Sequence, residues 1–568
     1  MTDSIKFKLI LIHKNYINFL YFWTVKKHII HTIIIAISFG LWSCDGSMNP
    51  PVGKTVFKYN ESAGISSLDP AFARDQANIW ADNQLYNGLV ELDNDLYVQP
   101  SLAESWTISD SGKTYTFNIR NDVYFHNSEV FTDSIGRKMT AHDITYSLLR
   151  VLNPKTLSPG AVWLNNILAK NKNENFEINS PNDTTVIIKL KSAFAPFLGR
   201  LSMPYFSTVA KEAVEFYGAD FSRNPVGTGP FYLKVWKEGV KMVFLKNEKY
   251  FEIENGEQLP HLDAVAISFI IDKQSVFLEF IKGNIDFISG IDPSYKDELL
   301  LPNGSLNPKY NDKINLLRAP YLNTEYLAFL MENNKDSILM DVRIRKAINY
   351  GFDRKKMMRY LRNNIGVAGN NGFVPVGMPG FENGETKGYF FAPDSTLKLL
   401  KEAGYPNGKG LPQITLSTTS AYLDICKYIQ QETAKLGIEI EIDVHQPAAL
   451  RQMIANSRMP FFRGSWIADY ADPENYLALF YSPNHSPAGA NYSHFNSPAF
   501  DKLYIQARSE TNDSIRVALY RKMDKMVMEQ APIIVLYYDE ALRFTAKNIN
   551  GLGVNSMNLL SLKKVVKN

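Results

Sequence analysis

The chain has 568 residues, 45% of them hydrophobic and 12% aromatic, with 30 Tyr and 34 Phe, which excludes a disordered chain and supports more than one domain. Its net charge is +3, but the first 43 residues carry five lysines and one acid, a net of +4, so the remainder sits at −1. A nearly neutral body makes no electrostatic case for nucleic-acid binding.

Near the start of the chain a basic pair, Lys26-Lys27, is followed by an apolar run from Ile29 to Trp42, shorter than the roughly 20 residues of a spanning helix. Residues 1–43 read as a secretory leader, with an uncleaved signal anchor as the alternative. Met1 to Thr24 add no signal feature, so translation is expected to begin downstream. Residues 44–51 hold Gly, Ser, Asn and two prolines and read as a flexible tether. Besides Cys44 there is one cysteine, Cys426, expected as a buried free thiol in a helical segment.

From Val56 onward short β-like runs alternate with turn signals, without a fixed-period repeat. Thr114-Tyr-Thr-Phe-Asn-Ile119 alternates with period two after the Asp110-Ser-Gly-Lys113 turn, and Thr185-Val-Ile-Ile-Lys-Leu190 does so after Ser180-Pro-Asn-Asp183. Both are predicted strands. Helices are predicted over 141–152, 342–360, 395–403, 424–436, 448–455 and 513–529, with Thr140, Asp341 and Asp394 as caps.

The segment Phe462-Arg-Gly-Ser-Trp-Ile-Ala-Asp-Tyr-Ala-Asp-Pro-Glu-Asn-Tyr476 is the most specific part of the chain. Arg463 to Ile467 suit an extended run with alternating faces, and Asp472-Pro473-Glu474 reads as a turn feeding a helix capped by Asp472. Asp469, ending an extended aromatic-bearing segment, is what a free α-ammonium group needs as a partner. A turn or capping role for both aspartates is the alternative.

Several motifs fail on inspection. Gly53-Lys54-Thr55 lacks the first glycine of a P-loop, Met48 standing there, and Gly227-Thr-Gly229 lacks the third glycine of a dinucleotide fingerprint, Tyr232 standing there. The latter is read as a turn beside a crossover, where glycine permits unusual backbone angles. There is no His-Glu-x-x-His, Gly-x-Ser-x-Gly or Cys-x-x-Cys, so no enzyme signature and no metal set is identified. His445, His485 and His494 are loosely clustered and read as surface or capping residues.

A series of motifs in order, Ser67-Leu-Asp-Pro70, Pro100-Ser-Leu-Ala-Glu-Ser-Trp106, Gly112-Lys-Thr-Tyr-Thr-Phe117, Thr140-Ala-His-Asp-Ile-Thr-Tyr-Ser147, Pro225-Val-Gly-Thr-Gly-Pro-Phe231, Asp341-Val-Arg-Ile-Arg-Lys-Ala-Ile-Asn349 and Leu399-Leu-Lys-Glu-Ala-Gly-Tyr405, resembles the bacterial extracellular solute-binding proteins of family 5, the oligopeptide, dipeptide and nickel class serving ABC importers. Leu41-Trp42-Ser43-Cys44 resembles a bacterial lipobox, with Cys44 as the lipidated first residue of the mature chain, although Trp42 departs from the usual small residue.

The resemblance implies an α/β, two-lobed periplasmic-binding-protein fold of the large peptide-binding type, with a small domain inserted in the first lobe. By analogy lobe I spans 52–90, 205–315 and 530–568, the inserted domain 91–204 and lobe II 316–529. It also implies ligand-binding roles. Asp469 matches the position that pairs with the α-ammonium, Ser465 and Ile467 would offer backbone hydrogen bonds, and Trp466 would wall a side-chain pocket. Arg463 would neutralise ligand or cleft carboxylates, or form a structural salt bridge to a cleft acid. On the opposing lobe Ala73, through its backbone, and Asp75 are candidates in the Ala71-Phe-Ala-Arg-Asp75 loop. Tyr326, and Tyr538 or its neighbour Tyr537, lie in segments that approach the cleft in relatives, with strand packing as the alternative.

The implied function is a lipid-anchored binder on the periplasmic side of the cell envelope. As a monomer without cofactor or chemistry of its own, it would capture oligopeptides or dipeptides and deliver them to a membrane permease. Alternatives are another solute (a nickel complex, a haem-like group, a sugar or an opine), a sensor or peptide chaperone without a transporter, and, lowest, a hydrolase using cleft acids.

Overall fold

A computed structural model describes residues 53–331 and 338–568 of the chain. The leader, the tether and Cys44 lie outside these residues. Thr55–Asn568 is one compact unit.

Its spine is an eleven-stranded mixed sheet held together by two long antiparallel strands, Ile314–Phe329 and Ile533–Ala546. Their pairing changes register midway. Residues Ile314 to Pro320 run against Ala546 to Glu540, and after a break Thr324 to Ala328 run against Tyr538 to Ile533. On one side of the break the sheet continues through Phe287–Ser289, Val56–Asn60, Ala264–Ser268, Lys241–Lys246 and Phe231–Lys237. On the other it continues through Phe461–Ile467, Ile414–Thr419 and Ile440–His445. These two wings make the fold two-lobed. A separate four-stranded antiparallel sheet is built from Ala103–Ser109, Thr114–Ile119, Thr185–Lys189 and Ile178–Asn182.

The central parts of the long strands are buried on both faces because helices cover both. From Leu322 to Phe329 and from Ile533 to Tyr538 every residue is buried. Tyr326, Ala328, Ile533, Val535 and Tyr538 pack toward Glu474–Leu477, Pro498–Ser509 and Asp513–Gln530. Leu327, Phe329, Ile534, Leu536 and Tyr537 pack the other way, toward Val342–Tyr350, Arg354–Leu361 and Leu423–Ala434. Two fully buried arginines pin the second strand: Arg345 donates to Ala531 O at 3.0 Å and Gln530 O at 2.7 Å, and Arg354 to Val535 O at 2.6 Å. The Asp341 to Asn349 motif thus ties a helix to the crossing strand.

The predicted strands form at Thr114–Ile119 and Thr185–Lys189, and the helices at Ala141–Leu152, Leu423–Ala434, Pro447–Ala455 and Asp513–Gln530 match closely. Thr140 caps its helix through a reciprocal box with Asp143, and Asp341 accepts from Arg343 N at 2.8 Å. The run predicted over 342–360 is two helices. Gly351-Phe-Asp353 interrupts it, and Asp353 caps the second by accepting from Lys355 N and Lys356 N. Asp394 is not a cap: its helix starts one residue earlier at Pro393, whose ring is preorganised for a first helical position. Gly227 and Gly229 do not adopt positive φ or flank the crossing strands. A Cβ at either would come within 2.3 Å of the Leu85 backbone, so these glycines allow the turn to press on the end of Gln76–Leu85. Cys426 is buried with a free thiol. Among the described residues no helix is long and apolar enough to cross a membrane.

Candidate functional site

The strand Phe461–Ile467 pairs along its whole length with Asn323 to Phe329. On its other edge only Phe462 pairs, with Ser417, so the backbone from Arg463 to Ile467 keeps one edge outside the sheet. An extended ligand can add to such an edge through main-chain hydrogen bonds. Gly464 is required here, because a Cβ would lie 2.5 Å from the ring of Tyr326 on the neighbouring strand.

Beyond the strand the chain turns at Asp469 and re-enters a short helix, Glu474–Leu477. Asp472 accepts from Glu474 N at 2.9 Å and pairs with Arg516, so it holds the turn, while the N-cap position expected for it falls one residue on, at Pro473. Asp469 does something else. Its Oδ2 accepts from Asn475 Nδ2 at 3.2 Å, and among the described residues it forms no ion pair. Burial pushes its carboxyl above the ordinary range, against the opposing pull of the Asn475 hydrogen bond and the Arg200 charge. Asn475, 3% exposed, also accepts at Oδ1 from Trp466 Nε1 at 2.9 Å and from the Asp469 backbone N–H at 3.3 Å. One amide therefore orients both the indole and the carboxylate. Asn475 lies in the segment singled out from the sequence but has no role there; its only sequence signal is its place just after the Asp472-Pro473-Glu474 turn, six residues from the candidate acid.

Trp466 is half-buried and Ile467 is exposed, so both present surface next to Asp469. Ser465 donates within a buried polar group, with Asn323 Oδ1 and Glu325 Oε1 each at 2.9 Å. Its hydroxyl is committed, which leaves its backbone for a ligand. Arg463 pairs with Glu325, itself 3% exposed in its side chain, and lies 3.2 Å above the Tyr422 ring. Its charge is matched inside the protein.

Across from Asp469 is the loop after Asp69-Pro70. Asp69 caps it by accepting from Ala71 N at 3.1 Å and is clamped by Arg150 at 2.5 and 2.9 Å. Ala73 is buried and its N–H is bonded to Pro70 O. Asp75 is exposed and caps Gln76–Leu85 by accepting from Asn78 N at 3.1 Å. Tyr205 feels charges from both sides: burial pushes its phenol up to about 12, the Asp469 and Asp75 carboxylates push the same way, and Arg74 opposes them.

Tyr326 and Tyr538, expected at the cleft, are interior residues. Tyr326 is 3% exposed and stacks edge-on against Phe373 at 5.2 Å; Tyr538 is fully buried and donates to Gly372 O at 2.5 Å. Tyr537 is buried on the opposite face under Arg362. Both crossing strands are central here, so neither face of this stretch reaches solvent.

His485 and His494 stack in parallel at 4.6 Å, and His445 lies 2.9 Å from Asp443. Among the described residues no group of three His, Cys, Asp or Glu side chains is placed to hold a metal.

Comparison with known proteins agrees with this architecture. The chain is 26% identical over 493 residues to the dipeptide-binding protein of Escherichia coli, covering 83% of this chain and 87% of that protein. It is 28% identical over 477 residues to the heme-binding protein A of Haemophilus influenzae, covering 80% and 81%. Among solved structures it resembles the ABC transporter-associated periplasmic binding protein DppA from Helicobacter pylori in complex with peptide STSA, with a TM-score of 0.70, 26% identity and coverage of 91% and 98%. The family model described as "Bacterial extracellular solute-binding proteins, family 5 Middle" matches residues 97–488. With most of its length matched, and with two lobes joined by two crossing strands, the chain belongs to the bacterial extracellular solute-binding proteins of family 5.

Proposed function

We propose that the chain captures oligopeptides or dipeptides between its lobes, Asp469 receiving the ligand's α-ammonium group and the free edge from Arg463 to Ile467 pairing with its backbone. The observation that carries this reading is a carboxylate that has no ion-pair partner among the described residues, oriented by Asn475 and placed at the end of an unpaired strand edge. Recognition of what all peptides share requires these two elements, whereas side chains need only roomy hydrated space. Trp466 and Ile467 would wall the first such space, and Ala73 and Asp75 would close it from the opposite side.

In this reading the protein is a monomeric lipoprotein anchored through Cys44 on the periplasmic side. It passes its ligand to an ABC permease and performs no chemistry. The lobes would be 52–90, 205–315 and 530–568 against 316–529, with 91–204 inserted, and the crossovers would pass through the register break in the two long strands.

Mass spectrometry of the purified protein under native and then denaturing conditions tests this. Released peptides that are absent from the Asp469→Ala variant support it. A haem group, as the name of the Haemophilus relative would suggest, a metal complex, a glycan, or no ligand in the presence of added peptides would remove the peptide assignment.

A further inference from the structure

Arg200, at the end of the helix Phe197–Leu201, follows the last strand of the four-stranded sheet, yet its partners lie beside Asp469. Its Nη2 donates to the Tyr470 hydroxyl at 2.9 Å and lies 3.5 Å from Glu474 Oε2, while Nη1 donates to Trp163 O at 2.9 Å. The guanidinium sits over the rings of Phe194 at 4.3 Å and Tyr470 at 4.8 Å. Glu474, 2% exposed, also accepts from the Tyr470 and Tyr504 hydroxyls, and Arg508 approaches it at 3.9 Å.

The same two segments meet again a few residues away. Ala195 N donates to Arg508 O at 2.8 Å, Arg508 stands over Phe194 at 5.1 Å, and Trp163 meets Tyr470 edge-on at 5.9 Å. Residues 163–200 thus touch residues 470–508 with no shared sheet between them. The contact is polar and aromatic, and among the described residues the buried Nε atoms of Arg200 and Arg508 have no hydrogen-bond partner. Such an interface between bodies is typical of surfaces that separate and re-form, in contrast to an apolar core. It is also chemically coupled to the candidate site. Glu474 precedes Asn475, the residue that orients Asp469, and the Arg200 charge acts on Asp469 itself.

We infer that Arg200 is a positioning residue and a latch: it fastens residues 163–200 to the Tyr470–Glu474 turn, holding the lobes together over the amine site. The effect on ligand rests on the peptide reading, whereas the effect on lobe separation does not. Truncating one partner of a buried hydrogen-bonded charge pair acts mainly on dissociation. Release of a bound peptide is therefore the step that Arg200 slows.

Two exposed positions on either side of the contact, Leu157 and Ile505, suit spin labels introduced as Leu157→Cys and Ile505→Cys in the full-length chain carrying Cys44→Ser, since the other cysteine, Cys426, is buried. Distances between the labels are then measured without and with trialanine. The latch requires a short-distance population in the peptide-free protein that shifts to longer distances in Arg200→Met, with partial recovery in Arg200→Lys. It also requires trialanine to dissociate from Arg200→Met roughly tenfold faster or more, with little change in association rate. Tyr470→Phe, which removes one hydroxyl at constant shape, should move both readouts the same way and serves if Arg200→Met does not fold. Unchanged distances in a folded Arg200→Met or Tyr470→Phe would overturn the latch. If trialanine and other peptides bind to no form, the peptide reading falls while the label distances still decide the latch.

Discussion

Asn475 grips Asp469 twice, donating from Nδ2 to its Oδ2 at 3.2 Å and accepting from its backbone N–H at 3.3 Å. The carboxylate is thus fixed in place without its charge being neutralised. Replacing Asn475 by Leu removes this support and the acceptor of the Trp466 indole N–H. Peptide affinity should fall by about ten- to a hundredfold, the equivalent of roughly 1–3 kcal/mol for an unsatisfied buried group. Trp466 emission should shift in the same variant. Titration calorimetry and fluorescence on one preparation check both.

Burial raises the Asp469 carboxyl above its ordinary range in the ligand-free protein, and a bound ammonium group favours the ionised form. Binding therefore releases a proton from Asp469 wherever that site is partly protonated. Affinity should rise with pH through the raised value and then level off. Calorimetry at mildly acidic pH in buffers of different ionisation enthalpy measures the proton count, which should vanish in Asp469→Asn.

Arg463 faces two possible duties, and its pairing with buried Glu325 makes the structural one measurable. Arg463→Met leaves Glu325 charged and unpaired, a loss of about 3–5 kcal/mol in unfolding free energy. The double variant with Glu325→Gln should recover most of that loss in urea titrations. A stable Arg463→Met protein with weakened peptide binding would instead assign the arginine to the ligand.

Asp524 is buried and accepts from Phe373 N at 2.8 Å. Burial raises its pKa to about 6 from 3.8. Because the folded value is the higher, its contribution is fully present below about pH 4 and is lost as pH rises through about 6. The loss is on the order of 3 kcal/mol. Asp524→Asn should flatten the pH dependence of the melting temperature across that window, as scanning calorimetry can follow.

The parts of this fold that were readable in the sequence are those set by local rules. Period-two alternation gave Thr114–Ile119, and the Thr140 box gave the start of Ala141–Leu152. The helix break at Gly351-Phe-Asp353 was overlooked because the apolar pattern runs through it while Asp353 restarts the cap. The Arg463 to Tyr476 segment was legible as the candidate site, since its acid, its aromatic residue and its turn are consecutive. For Tyr326 and Tyr538 the strand-packing alternative holds, and local pattern could not decide it because burial on both faces of a central strand depends on which helices return to cover it. The Arg200 contact joins residues 270 positions apart, and no local pattern encodes it.

The most direct test of the central claim compares one tripeptide with its N-acetylated form by calorimetry on the wild-type chain and on Asp469→Ala. If Asp469 receives the ligand's ammonium group, acetylation weakens wild-type binding by about two to four decades, the range for breaking a buried charge pair. The same modification then has little further effect in Asp469→Ala. Equal wild-type affinity for the free and acetylated peptides would contradict the account.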